Sequence, residues 1–359
     1  MTIPATSVPK VKSPVLIAGA TGFIGHFVAD ACLASGRPTY VLVRSTPTCP
    51  SKAKVLRSLE EKGAKVLHGL INQKEKMEKI LKEHKIEIVI SAVGGEKILD
   101  QLPLVEAIKA VGTVKRFLPS EFGHDVNRTE PVEPGLRMYI EKRKVRDLIE
   151  EYGIPFTYIC CNSIASWPYF DNTHPSEVHP PLDKFQIYGD GNVKAYFVAG
   201  TDIGKFTMKI VDDVRTLNKS VHFRPPCNFY NINELAALWE KKIGRTLPRS
   251  TITEEDLLAA AAENRIPESV VASFTHDIFI KGCQINFSID GPNDVEVCSL
   301  YPDEAFRTLD DCFEEFFLRL NEKHVSSRDE NAPPNPVVEP LIVTATCAEP
   351  TSTTVNCRA

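Results

Sequence analysis

The sequence predicts an α/β protein: a doubly wound parallel sheet carrying a smaller, less regular substrate-binding domain. Three observations lead there. Short β-branched runs alternate with helix-length amphipathic stretches up to about Cys161, a glycine-rich turn joins the first run to the first stretch, and the alternation fails after Asn162.

The strand runs are Val15–Ala18, Tyr40–Val43, Lys65–His68, Ile86–Ala92, Arg116–Leu118 and Phe156–Cys161. Between them lie helical patterns at Phe23–Ala34, Ser51–Lys62, Lys74–His84, Ile98–Val111 and Gly135–Tyr152. Helices of that length between strands make βαβ units, with a parallel sheet covered on both faces. Right-handed crossovers then place ligands at the carboxyl ends of the strands. Beyond Asn162, the stretch Trp167–Pro181 is rich in Pro, His and aromatics and reads as a long loop. Further helices are expected at Ile232–Ile243, Glu254–Asn264 and Asp303–Asn321. The expected division is a cofactor domain over 13–162, a mainly substrate-binding domain over 163–323 with some interleaved sheet elements, and a tail over 324–359. The tail carries Pro333, Pro334, Pro336, Pro340 and Pro350 among Thr, Ser and Asn, so it is expected to be flexible.

Composition removes several function classes. Of 359 residues, 43% are apolar and 25% charged, which suits a globular core of one large or two modest domains. The 42 basic and 47 acidic residues nearly cancel, so no polycationic surface for nucleic acid is expected. No apolar run reaches the ~18–20 residues of a membrane span, and Met1–Ser13 lacks the apolar core of a secretory signal. The ten cysteines include no Cys-x-x-Cys pair and no zinc spacing. Reduced thiols in a cytoplasmic protein are expected, with no metal.

Gly19-Ala20-Thr21-Gly22-Phe23-Ile24-Gly25 follows the first strand and opens the first helix. Gly19 permits the tight turn, Gly22 lets backbone approach a pyrophosphate, and Gly25 lets the helix pack close to the sheet. The helix N-terminus supplies free N–H groups and positive dipole. This is a Rossmann-type dinucleotide turn, and its GxxGxxG spacing is similar to that of extended and atypical short-chain dehydrogenases. The second strand ends at Arg44, where an NAD site would carry an acid for the ribose 2′-hydroxyl. A guanidinium pairs instead with a 2′-phosphate, so the expected cofactor is NADPH. Lys52 adds charge at the next helix; Lys54 fits that role and a solvated surface equally.

The chemical end of the cleft has three pieces. They are Val93-Gly94-Gly95 after the fourth strand, Pro119–His124 after the fifth, and a helix with Tyr139 and Lys142 on one face. A short-chain dehydrogenase pairs Tyr and Lys four apart; here they are three apart, which argues against simple ketone reduction. Lys142, with Arg143, Lys144 and Arg146 nearby, is a candidate base of lowered pKa or a solvated cation of a basic helix. His124 is an exposed loop residue or an acid near neutral pH. Trp167, Tyr169 and Phe170 pack either a flat ligand or the core.

The stretch Arg116-Phe-Leu-Pro-Ser-Glu-Phe-Gly-His-Asp125 resembles the plant pinoresinol–lariciresinol, isoflavone and phenylcoumaran benzylic ether reductase family. His124 after Phe122-Gly123, with Ile159–Tyr169 and Thr173–Glu177, resembles the leucoanthocyanidin reductase branch. The similarity spans about 13–323, with Asn127 where the family often has Asp. It implies that Lys142 is the catalytic base, His124 an acid and Tyr139 a substrate-orienting hydroxyl. It also implies cofactor contacts at Gly19–Gly25, Arg44, Lys52 and Arg146, and places His276 in a segment, Phe274–Gly282, closing over substrate. The implied reaction removes the C4 hydroxyl of a flavan-3,4-diol through a quinone methide, giving a flavan-3-ol such as catechin, with other flavonoid-pathway enzymes as candidate partners. The alternatives are reduction of an isoflavone, lignan or benzylic ether, and a non-catalytic NADP(H) sensor on the same fold, for which Lys142 would be needless.

Overall fold

A computed structural model describes residues 12–44, 49–170 and 178–326, with side chains to residue 322. The first half runs β1 (Val15–Ala18), α1 (Phe23–Ala34), β2 (Thr39–Val43), α2 (Pro50–Glu61), β3 (Lys65–His68), α3 (Lys74–Glu83), β4 (Ile88–Ser91), α4 (Gln101–Val111), β5 (Arg116–Leu118), α5 (Gly135–Glu151) and β6 (Thr157–Cys160). Every strand and helix expected in this half is present, with ends shifted by a few residues. The strands β3-β2-β1-β4-β5 form one parallel sheet. A parallel bridge from Phe117 to Phe156, with Phe117 N–H donating to Pro155 O at 2.8 Å, carries the sheet on to β6.

Alternation along β1 explains the layers. Val15 and Ile17 face one core, with α1, α2 and residues of a later helix, while Leu16 and Ala18 face a second core built with α3, α4 and α5. Strands buried on both faces need apolar residues at every position, and β1, β4 and β6 are buried throughout.

The second half adds β7 (Ser163–Ile164), β8 (Phe185–Tyr188), β9 (Ala195–Val198), α6 (Gly200–Ile210), β10 (Lys219–His222), β11 (Phe229–Tyr230) and α7 (Ile232–Ile243). Then come β12 (Arg249–Ile252), α8 (Glu254–Ala262), α9 (Glu268–Phe279), β13 (Asp294–Glu296), α10 (Val297–Leu300) and α11 (Leu309–Ser326). β10 and β13 are parallel to β6 and extend the sheet, while α6 covers α1. The other elements surround a third core of Trp167, Phe185, Trp239 and Phe313.

Several expectations need correction here. The last helix starts at Leu309 rather than Asp303, because 302–303 form a turn and 304–308 are irregular, with Asn228 binding Arg307 O and Leu309 N–H. It runs on to Ser326, past the expected boundary at 323. Helices α6 and α9 are not among the expected helices. In α6, Ile203, Phe206 and Ile210 recur at helical spacing with Lys205 and Lys209 opposite, while α9 buries the polar Ser269, Ser273, Thr275 and Asp277, which blur its stripe. The rest of the expected tail, from 327 on, and the Thr173–Glu177 motif lie outside the described residues. Among the described residues, no helix is long and apolar enough to cross a membrane.

Candidate active site

The sheet order reverses at β1, with β2 on one side and β4 on the other, so a crevice opens beyond their carboxyl ends. It measures about 660 Å³ and includes Gly19, Thr21 and Gly22 of the glycine turn, Arg44 after β2, Lys52 on α2, and Val93 and Gly94 after β4. Gly19 has φ +81°, and a Cβ there would lie 2.4 Å from Ala92 O, so no other residue makes this turn without strain. A Cβ at Gly25 would fall 2.0 Å from Gly19 O, which is why the helix can start so close under the strand. No side chain caps the N-terminus of α1, leaving its first N–H groups to the crevice. Of the remaining turn residues, Ala20 is buried, while Phe23 rests edge-on against Phe27 and Ile24 packs on the core. Lys54 is exposed and lies off the crevice.

A second group sits behind the loop that follows β5. The Ser120 hydroxyl donates to Val93 O, and Ser120 N–H donates to Gln101 Oε1 at 2.9 Å, tying this loop to the crevice wall. Phe122 at φ +32° and Asn162 at φ +58° hold a sharp backbone path. Asn162 N–H donates to Gly123 O at 3.0 Å and its side chain donates to Phe223 O. Lys142, on the inward face of α5, donates from Nζ to Glu121 O at 2.7 Å. Burial pushes its ammonium below the ordinary lysine range, with Glu121 opposing only in part. Burial, rather than the cationic neighbours expected from sequence, is the leading cause.

One turn earlier on α5, Tyr139 Oη lies 2.6 Å from His124 Nδ1. Burial pushes His124 down to about 4, with Lys142 adding to the effect, so the imidazole is neutral at pH 7. Burial raises Tyr139, which therefore keeps its proton. Phe274 of α9 stacks on Tyr139 at 5.0 Å between ring centroids and meets His124 edge-on. Gln284 reaches His124 Nε2 at 3.1 Å and Ser163 Oγ at 2.7 Å.

The structure brings Lys142, Tyr139 and His124 together, and places Arg44 and Lys52 on the crevice with the glycine turn. It does not bring Arg146 to the crevice. Arg146 lies against the other face of the loop, 2% exposed, with Nε and Nη2 on Glu121 and Nη1 on Asp125 at 2.8–3.0 Å, its plane over Tyr158. Three of its five N–H donors are taken by two carboxylates, and Arg146 does not line the crevice, so the structure places it in a buried ion cluster. His276 points from α9 to Glu254 of α8, at 2.9 Å, so it ties two helices together and faces no ligand. Trp167 stacks on Phe185 inside the third core; Tyr169 donates to His179 O, and Phe170 meets Tyr188 edge-on. Trp167 is buried in the third core, and Tyr169 and Phe170, partly buried, pack against it. Gln284 is missed from sequence, and Phe274 and Ser163, though inside segments singled out there, are given no role of their own, because these roles depend on chain returns from beyond residue 160. Asp125, Cys160 and His222 offer ligand-type atoms within 4.8 Å of one another, but Asp125 is committed to Arg146 and His222 to Asp294.

With this geometry in place, the relatives are informative. A leucoanthocyanidin reductase of Desmodium uncinatum is 66% identical over 323 residues, covering 90% of this chain and 85% of that one. A phenylcoumaran benzylic ether reductase of Ginkgo biloba is 47% identical, covering 85% and 99%. Among solved structures, a binary complex of leucoanthocyanidin reductase with NADPH from Vitis vinifera superposes with a TM-score of 0.82 at 73% identity, covering 85% of this chain and all of that one. The family model described as NmrA-like matches residues 11–316, and the chain belongs to the NmrA-like family.

Proposed function

We propose that this chain is an NADPH-dependent leucoanthocyanidin reductase, removing the C4 hydroxyl of a flavan-3,4-diol to give a flavan-3-ol. The observation that carries the reading is a buried lysine of lowered pKa set beside a neutral His–Tyr pair, next to a dinucleotide crevice. The crevice suits NADPH. The α1 N-terminus would take the pyrophosphate, and Arg44 with Lys52 would take the 2′-phosphate; Asp100, also on the crevice, pairs with Lys97 at 3.7 Å. When bound, the dinucleotide supplies a hydride.

Hydroxide is a poor leaving group from a saturated carbon, and the phenol of the A ring offers a route around it. Lys142, whose ammonium is destabilised by burial, takes in its unprotonated form the proton of the hydroxyl para to the ring carbon that bears C4. Electron density pushed through the ring expels the C4 hydroxyl, while the His124–Tyr139 pair supplies the proton that lets it leave as water. The quinone methide so formed is electrophilic at C4, where reduction follows. Base and proton donor act at opposite ends of one conjugated system, which needs groups of separated pKa. Phe274, stacked on Tyr139, excludes water from the donor side. In this reading 13–162 hold the cofactor and 163–323 mainly the substrate, with β10 and β13 as the interleaved sheet elements. A cytoplasmic setting belongs to the same reading and suits the buried thiols of Cys32, Cys160, Cys161, Cys283 and Cys312. Association with other flavonoid-pathway enzymes belongs to the same proposal.

Incubating the purified protein with NADPH and a flavan-3,4-diol should yield the flavan-3-ol and NADP⁺ in equal amounts. Turnover of a lignan, isoflavone or benzylic ether in place of the flavan-3,4-diol would move the chain to a sister activity. Tight NADPH binding with no turnover of any of them would make it a sensor.

A further inference from the structure

We propose that Gln284 is a positioning residue that locks His124 as the Nδ1–H tautomer, so that the proton presented to the substrate is the one on Tyr139. The proposal rests on the assignment of the His124–Tyr139 pair to the departing hydroxyl.

Gln284 is buried, and its amide has one orientation only. The backbone N–H of Tyr196 lies 2.8 Å from Oε1, and a backbone N–H can only donate, so that end of the amide must be the carbonyl oxygen. The other end is therefore the NH₂ group, 2.7 Å from Ser163 Oγ and 3.1 Å from His124 Nε2. Each of its two protons has one acceptor. A group that only donates needs a lone pair opposite it, so Nε2 carries no proton. The neutral imidazole then holds its proton on Nδ1, 2.6 Å from Tyr139 Oη, which accepts it.

With its oxygen accepting from the imidazole, Tyr139 must aim its own O–H elsewhere, and Phe274 stacked on the ring fixes the plane. In the other tautomer Tyr139 would donate back to Nδ1 and turn a lone pair toward the ligand. A leaving hydroxyl needs a proton from that side, so the tautomer decides whether the pair is productive. The groups facing His124 support a neutral ring. Lys142 and Tyr139 come from α5, Phe274 from α9 and Ser163 from β7, and the nearby carboxylates of Glu121 and Asp277 are taken by Arg146 and Thr129. Sequence gives no hint of this, because Gln284 is 160 residues from His124.

The test is the imidazole itself. In protein labelled with ¹⁵N-histidine, long-range proton–nitrogen correlations distinguish the two tautomers and the imidazolium, and His124→Asn identifies the His124 signals by their loss. Native His124 should be neutral and protonated on Nδ1 at pH 7. Gln284→Glu keeps two acceptors for Tyr196 N–H and the Ser163 hydroxyl, so it preserves the packing, yet its carboxylate accepts from Nε2. His124 should then carry a proton on Nε2 and titrate at higher pH than in the native protein. Its kcat on a flavan-3,4-diol should fall on the order of 100-fold, with the KM for NADPH within about twofold because the amide is not part of the crevice. Gln284→Met should lower kcat less, since it imposes neither tautomer. An Nε2–H or charged His124 in the native protein overturns the proposal without any variant. So does Gln284→Glu with unchanged His124 signals or an unchanged kcat. The predicted tautomer in a protein with no activity on flavan-3,4-diols would support the lock and overturn the functional reading alone.

Discussion

Replacing Arg146 by alanine tests the reassignment of this residue from cofactor contact to buried ion. Arg146, Glu121 and Asp125 are each 1–3% exposed at the side chain. Their hydrogen bonds are of charge-assisted length, 2.8–3.0 Å. In Arg146→Ala, Glu121 loses both bonds to its carboxylate, while Asp125 keeps the backbone N–H of Asn127 at 3.1 Å. Breaking a buried pair from one side costs about 3–5 kcal/mol, because the charge left behind, here chiefly on Glu121, loses its partner without gaining water. Loss of the contact over Tyr158 adds about 0.5–2 kcal/mol. A urea titration at pH 7.5 should show a loss of about 3 kcal/mol or more. The pH dependence gives a second check. Burial alone would raise the Asp125 carboxyl, but Arg146, His222 and the Asn127 N–H together outweigh it and hold the group below its ordinary value. Its stabilising contribution is therefore present above the unfolded carboxylate pKa of about 4 and lost as pH falls through the lower folded value. Without Arg146 the main group holding the Asp125 carboxyl down is gone, so protonation relieves the variant first. The gap between the two proteins should be widest at neutral pH and narrow as pH falls toward the unfolded carboxylate value of about 4. NADPH affinity, measured on the folded variant, should be within a fewfold of native. A stability loss under about 1 kcal/mol with a tenfold or greater loss of NADPH affinity would refute the argument and return Arg146 to the cofactor.

Arg44→Asp should lower the preference for NADPH over NADH by about 10- to 100-fold, since it removes a charged hydrogen-bonding partner of the 2′-phosphate; equal binding of both cofactors by the native protein would defeat the assignment. Lys142→Ala should lower kcat at least 10²-fold with NADPH affinity unchanged. Because burial holds Lys142 below the ordinary lysine value, kcat of the native protein should rise to its plateau at a pH below about 10.4, and a limb at or above that value would exclude Lys142 as the base. Removal of residues 327–359, whose composition is poor in large apolar groups, should leave the thermal midpoint and kcat close to native; a clear drop in either would assign the segment a structural or catalytic part.

The sequence by itself was enough for the sheet and for the cofactor end of the site, because both are local. β1 reads as apolar at every position since it is buried on both faces, and the turn after it needs glycine at 19 and 25 because backbone comes within 2.4 Å of any Cβ. Arg44 is legible for the same reason: it follows directly from the end of β2. Neither α6 nor α9 is among the expected helices: α6 does repeat Ile203, Phe206 and Ile210 at helical spacing, while in α9 the buried Ser269, Ser273 and Asp277 blur the stripe.

The chemical end was legible only as a set of names. Lys142 and Tyr139 share a helix face by spacing, and His124 sits at a strand end, but their states are tertiary. Burial lowers Lys142, burial and the lysine together hold His124 neutral, and Phe274 arrives from 135 residues further along to stack on Tyr139. Arg146 shows the limit most clearly. On the helix it is one basic residue among several, with Arg143 and Lys144 beside it, and spacing alone allows a phosphate contact. Only the fold, by returning the loop after β5 across α5, encloses it with Glu121 and Asp125 away from water. His276 and Trp167 are decided the same way, by a glutamate on α8 and a ring on β8. Local backbone demands are written in consecutive residues. The partner that fixes a charge, a tautomer or a ring plane comes from a distant part of the chain, and only the closed fold says which one it is.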